Sequence, residues 1–307
     1  MTGGLFGLPI AVASRWIFNS YAVRSPEGTV AVVDPGLPSV AEAVLDAIAD
    51  QLALDPRDVR TVVCTHGHSD HVGGVSTLLD GCDAGTEVHL PQRCEAYLAG
   101  ETPRLFPLVE SSLRFMPVYR EQPFSAGALR EFLAGTSKVG FGGRPQMTVD
   151  FDPAGFLGEG APVPSLPGWV TLSTPGHSDD STCFYHADSA TLISGDTVVT
   201  QDGTAWFNPE YVDLELAGET ADRLLSLEVR HLLPGHGPPI EARDVWAGRE
   251  APDGPPHGCV AARPLLAPPR TLGALTGSRD PWGAALRSRC ARHRHRPRHS
   301  TRDADST

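Results

Sequence analysis

No apolar run in the 307 residues reaches the roughly 18 that a membrane-spanning helix needs, which argues against a membrane partner. No two cysteines stand in CxxC spacing. Cys64, Cys82, Cys94, Cys183, Cys259 and Cys290 are scattered, which excludes a zinc ribbon and, in a chain this long, reads as free thiols rather than a disulfide framework. Lysine is nearly absent: Lys138 is the only one, and every other fixed cation is arginine, a pattern we take as composition bias. The N-terminus lacks the basic stretch of a secretory signal, so a cytoplasmic home is the expectation. Basic charge is scarce over most of the chain. Residues 251–307 hold ten arginines against four acidic residues, a surplus of +6, so the first 250 residues carry -18 of the total -12. An acidic body argues against a nucleic-acid partner, which needs a basic surface.

What is present is an alternation of strands and helices. Trp16–Val23 and Thr29–Asp34 read as paired strands joined through Ser25-Pro26-Glu27-Gly28. Ser39-Val40-Ala41-Glu42 has the form of a capping box, and Val40, Val44, Leu45, Ile48 and Leu52 follow at helical spacing. A buried strand over 60–65, a short helix after Gly73-Gly74, a strand at Glu87–Leu90 and a helix at Gln92–Ala99 complete the first hundred residues. Residues 100–165 read as an insertion or lid with a helix near Leu129–Leu133 and a strand at Gln146–Phe151. Regularity returns with strands at Gly168–Leu172, Thr182–His186 and Thr191–Ser194, a helix over Leu214–Leu227 and a strand at His231-Leu232-Leu233. The pattern predicts a domain over 1–248 and a low-complexity, disordered Arg/Pro-rich tail over 249–307.

The chemistry concentrates at strand ends. Strand 60–65 runs into His66-Gly67-His68-Ser69-Asp70-His71, four metal-ligand side chains in six positions. Three later strands end in the same manner: at Thr174-Pro175-Gly176-His177, at Ser194-Gly195-Asp196 and at Leu233-Pro234-Gly235-His236-Gly237. Each sets one ligand-type side chain beside a glycine that lets the backbone turn sharply. The four ends are expected to converge on one sheet edge. Taken singly, a histidine at a strand end is polar surface; the ordered set is not explained that way. His89, His186 and His231 lie outside the motifs and read as packing or surface. Asp34 reads as structural or as the partner of a ligand.

His66-Gly-His68-Ser-Asp70-His71, then His177, Asp196 and His236, resemble in order the motifs of the metallo-β-lactamase superfamily, in its broad glyoxalase-II-like branch, over roughly residues 10–245. The resemblance implies an α+β fold, a four-layer αββα sandwich. It implies two divalent metal ions, zinc first, with iron or manganese as alternatives. His66, His68 and His177 would hold the first ion, Asp70, His71 and His236 the second, and Asp196 would bridge them. A metal-bridging hydroxide would cleave an ester-like bond in a small molecule, with Asp70 orienting the attacking water as catalytic residue.

The family is broad, and departures from its patterns narrow the reading. Zinc β-lactamases of the common type carry cysteine where Asp196 stands. Acyl-homoserine lactonases place a tyrosine where this chain has Val199. Residues 240–307 do not resemble the helical C-terminal domain of glyoxalase II. Thioesters, lactones and related esters remain the leading substrates. A mononuclear-iron persulfide dioxygenase-like oxidoreductase, and a non-catalytic protein that meets nucleic acid through the basic tail, are the alternatives. Phe106, Phe115, Tyr119, Phe124, Phe132 and Phe141 of the insertion could line an apolar pocket beside the metals or only pack it down. Trp206, Phe207 and Tyr211 are equally open. The sequence leaves the oligomeric state undetermined.

Overall fold

The first three strands form a meander. β1 (Ile10–Arg15), β2 (Phe18–Arg24) and β3 (Val30–Val33) pair antiparallel, with Ile10 opposite Val23 and Tyr21 opposite Val33. The structure is a computed structural model that describes residues 4–105, 113–135, 138–142 and 144–247. The expected tail 249–307 with its histidines His293, His295 and His299 lies outside the described residues, as does Phe106. After β3 the chain crosses over through α1 (Pro38–Leu52) to β4 (Val59–Val63), parallel to β3. α2 (Ser69–Val72) and α3 (Val75–Asp80) lead to β5 (Glu87–Pro91), and α4 (Cys94–Leu98) leads into the insertion with α5 (Ala126–Gly135). β6 (Gly155–Leu157) then closes a sheet of order β1-β2-β3-β4-β5-β6. β7 (Trp169–Ser173), β8 (Thr182–His186) and β9 (Thr191–Gly195) open the second sheet. A hairpin, β10 (Val198–Gln201) with β11 (Thr204–Phe207), and α6 (Leu214–Leu225) precede β12 (His231–Pro234) and β13 (Ile240–Glu241). That sheet runs β13-β12-β9-β8-β7.

Side-chain alternation explains the layering. Along β3, Val30 and Val32 face α1, meeting Val44 and Ile48, while Ala31 and Val33 face the other sheet, meeting Ile193 and Leu233. A strand covered on both sides needs an unbroken apolar run, and β3 has one. Along α1, Val40, Val44, Ile48 and Leu52 recur every fourth residue and form one buried stripe. On the second sheet Leu172, Leu192 and Leu232 point outward to Ala221 and Leu224 of α6. Between the sheets, Tyr21, Val33 and Val63 pack on Trp169, Phe184 and Ile193. The result is the α+β four-layer αββα sandwich expected from the sequence.

β7, β9 and β12 share one direction, because β9 and β12 are parallel and both β7 and β9 run against β8. Their C-terminal ends meet the end of β4 from the other sheet. The ligand-bearing ends therefore do not sit on one sheet edge as expected; they sit on the rim where two sheets close on each other. Asn19 and Tyr21 of β2 stitch that rim. Asn19 Nδ2 donates to the carbonyls of Pro234 (3.0 Å) and Gly237 (2.7 Å), and the Tyr21 hydroxyl donates to Pro234 (2.7 Å).

Three local expectations are corrected. The Ser39–Glu42 capping box does not form: Pro38, with its preset φ, opens α1 after Leu37, so Ser39 falls inside the first turn with its hydroxyl buried and unpaired. A capping box does occur at Asp55 and Asp58, around a single 3-10 turn. Trp16 is not in a strand; at φ 55 it turns β1 into β2 without the glycine or asparagine that usually marks such a turn. Gln146–Phe151 makes no strand, because β6 already occupies the sheet edge beside β5 and Thr148 bridges Gly140 instead. No helix among the described residues is long and apolar enough to cross a membrane.

Candidate metal centre

β4 ends at Val63, and the backbone turns through Cys64 and Thr65 so that His66 and His68 face inward before α2 begins. The structure brings all seven sequence-predicted residues together in two adjacent buried groups: His66, His68, His177 and Asp196, and Asp70, His71 and His236. In the first, His68 Nδ1 lies 2.9 Å from His66 Nε2 and 3.2 Å from His177 Nε2. In the second, Asp70 Oδ2 lies 3.4 Å from His236 Nε2 and 3.9 Å from His71 Nε2. Asp196 stands between. Its Oδ2 is 3.1 Å from His236 Nε2, 3.6 Å from His177 Nε2 and 3.9 Å from His66 Nε2, and its Oδ1 is 3.3 Å from His71 Nε2.

The outward nitrogens fix which nitrogen faces in. His71 Nδ1 donates to Asp34 Oδ2 (2.9 Å), His177 Nδ1 to the Glu210 carbonyl (2.8 Å) and His236 Nδ1 to the Ile17 carbonyl (3.1 Å). Asp34 also accepts from the Thr65 N–H and hydroxyl, both at 2.7 Å, which leaves Thr65 Oγ1 to accept from His66 Nδ1 at 3.2 Å. These bonds set the ring orientations: His66, His71, His177 and His236 turn Nε2 inward, where it can serve as a ligand atom once deprotonated. Asp34 thus reaches the candidate ligand His71 directly and His66 through Thr65. Sequence reading missed Thr65, whose only signal is its place before the first histidine.

These residues fit divalent ions. Bonds of about 2.0–2.1 Å in a tetrahedron put ligand nitrogens about 3.3 Å apart, close to the 2.9 and 3.2 Å spacings around His68 Nδ1. His71 Nε2 and Asp196 Oδ1, both buried, face each other at 3.3 Å and make no hydrogen bond to any third group, so both are available to a cation. Burial and neighbouring imidazoles push His66 well down and His68 down to about 3; burial lowers His177. These three are therefore neutral and ready to ligate. For His71 and His236 burial works in the same direction, but the surrounding carboxylates override it, led for both by Asp196. His71 is held well above the ordinary range and His236 is pushed up to about 10. Asp196, despite its burial, is held well down by His236 and His71.

Aromatic rings wall the second group. Phe18 and Phe115 lie edge-on to His236 at 5.5 and 5.4 Å, and Phe132 packs on Phe18. Tyr119 stacks on Trp16 at 5.4 Å, and Trp206 joins the same cluster. Phe141 packs on His68 at 4.6 Å. Phe124 meets Trp16 yet is 64% exposed, and Phe207 stacks on Trp246, away from this wall. Tyr211 faces the Arg114 guanidinium at 5.9 Å. The insertion therefore both packs down and walls the centre. His89 pairs with Glu87, His186 stacks on Trp169 and His231 on Phe6, the packing roles expected of them.

Comparison with known proteins agrees with this geometry. A protein of Bacillus subtilis (strain 168) named "Probable metallo-hydrolase YflN" is 25% identical over 260 residues, covering 78% of this chain and 86% of its own. An uncharacterised Mycobacterium leprae protein, ML0493, is 30% identical over 227 residues, covering 71% and 86%. The crystal structure of the BLEG-1 B3 metallo-beta-lactamase superposes with a TM-score of 0.50 at 22% identity, over 76% of this chain and 93% of that one, and shares the fold. The family model of the metallo-beta-lactamase superfamily matches residues 15–236, and the chain belongs to that superfamily.

Proposed function

We propose that this protein is a metal-dependent hydrolase that cleaves an ester-like bond, a thioester, lactone or related group, in a small molecule. The observation that carries the reading is Asp196, whose carboxylate faces histidines of both groups at once. His66, His68 and His177 would hold one divalent ion and Asp70, His71 and His236 a second, with Asp196 shared and zinc the first candidate. When bound, such a pair supplies a water acidic enough to lose its proton near neutral pH and a Lewis acid for the substrate oxygen. Asp70 is the most exposed of the charged candidate ligands, its side chain 11% exposed, and its carboxylate would orient the attacking water. The rings of Phe18 and Phe115 exclude bulk water on the His236 side. Glu210, pushed up to about 8 by burial and by Asp196, is mostly protonated at neutral pH and adds no negative charge beside the site. The family and the metallo-hydrolase name of the Bacillus relative support the same reading.

The test is a panel of thioesters, lactones, β-lactams and phosphodiesters, run with metal-loaded protein, chelated protein and Asp70→Ala. Turnover in the loaded protein alone is expected. Turnover surviving both chelation and Asp70→Ala would overturn the mechanism. One iron per chain with oxygen consumption on a persulfide would replace the hydrolase with the dioxygenase reading.

A further inference from the structure

The turn that carries His66 and His68 is gripped from two sides. Gly67 N–H donates to Asp180 Oδ2 at 2.7 Å, and the same oxygen accepts from the Cys94 thiol at 3.2 Å. Gly67 C=O accepts from Phe141 N–H at 3.0 Å, and Phe141 C=O accepts from Ser69 N–H at 3.1 Å. The insertion thus lays a short strap over the turn. It comes that close only because Gly140, at φ 70, has no Cβ; one there would lie 2.6 Å from the Gly67 oxygen and 2.8 Å from the Ser69 nitrogen. Phe141 is fully buried, and its ring meets His68 edge-on at 4.6 Å. Asp180 and Phe141 come from segments far apart in sequence, and neither belongs to the ligand motifs.

We propose that Asp180 and Phe141 are positioning residues that clamp Gly67 and hold His68 Nδ1 in register with His66 and His177, which sets the affinity of the first ion separately from the second. The proposal rests on the metal reading above. Its geometry is specific: His68 is the one ligand that presents Nδ1, so a small rotation of its backbone moves the ligand atom directly, whereas His71 and His236 hang on Asp34 and Ile17.

Cobalt(II) titration of the metal-free protein, followed by absorption and by stoichiometry, tests it. The wild type is expected to take two equivalents. Asp180→Ala should weaken one step by about 10–100-fold, the usual effect of losing a ligand's support, and leave the other step unchanged. Asp180→Asn should restore it, since an amide oxygen still accepts from Gly67. Phe141→Leu keeps the backbone strap and loosens only the ring against His68, so it should weaken the same step alone. In a double-mutant cycle with His68→Ala the losses should not add. Equal weakening of both steps, failure of asparagine to rescue, or additivity with His68→Ala would overturn the clamp. A wild type that takes no cobalt would instead overturn the metal reading.

Discussion

Asp34 is the residue through which the two groups are held, and replacing it has a calculable cost. Its buried carboxylate accepts three hydrogen bonds, from Thr65 N–H, Thr65 Oγ1–H and His71 Nδ1–H, at 2.7, 2.7 and 2.9 Å. Asp34→Ala leaves three buried donors without an acceptor and removes one of the carboxylates that face the His71 ring. Breaking a buried pair in this way costs about 3–5 kcal/mol, a large part of the roughly 5–15 kcal/mol that holds a domain together. Asp34→Asn keeps the shape, but whichever way its amide turns, one N–H faces another. The stability loss is then about 1–3 kcal/mol. With the amide NH2 toward His71, the proton moves to Nε2 and the ligand atom of the second group is lost, so that ion should bind about 10–100-fold more weakly. Urea unfolding of the metal-free proteins and metal titration of the folded ones separate the two effects. An Asp34→Ala protein within about 1 kcal/mol of wild type, with both ions bound at wild-type affinity, would refute this account of the rim.

Other consequences are independent of Asp34. Asp70→Ala should abolish metal-dependent turnover while the fold survives, read by activity and circular dichroism. Ion uptake at neutral pH should release protons, because His71 and His236 carry them in the metal-free fold, His236 up to about 10. Calorimetry in two buffers of different ionisation heat should show the release, and affinity should fall with falling pH; no release at pH near 7 would contradict it. The same shift has a stability sign. A histidine raised to about 10 from about 6.5 unfolded stabilises the metal-free fold below pH about 6.5, and that contribution is lost as pH rises through 10. Gly195→Ala should destabilise by about 2 kcal/mol or more, since Gly195 sits at φ 49 and a Cβ there would collide with Thr65; a thermal melt within a degree of wild type would sink that claim.

The candidate ligands were legible because chemistry and position coincide: each group stands just past an apolar strand, beside a glycine. The layered fold followed from the same runs, since Val30–Val33 is buried on both sides and carries no polar break, and Val62 and Val63 continue the pattern beside it on β4. What the residues that support the ligands do was far less legible. Thr65, Asp180, Asn19 and Tyr21 act through hydrogen bonds to backbone or side chains distant in sequence, up to 218 residues apart, and no local period marks such a partner. Ile17 and Glu210 contribute only backbone carbonyls to His236 and His177, which any residue could supply. The Trp16 turn and the strap at Gly140 were missed because tertiary packing, rather than turn chemistry, holds them. The Ser39 motif matched a local rule that Pro38 overrode.

The central claim is that two ions share one carboxylate in this rim. Elemental analysis during stepwise reconstitution of the metal-free protein tests it most directly. The account predicts saturation at two equivalents of divalent metal per chain, reduced in Asp196→Ala by loss at both steps. Saturation of the wild type at one equivalent or none, or an Asp196→Ala protein that still takes two at wild-type affinity, would contradict it.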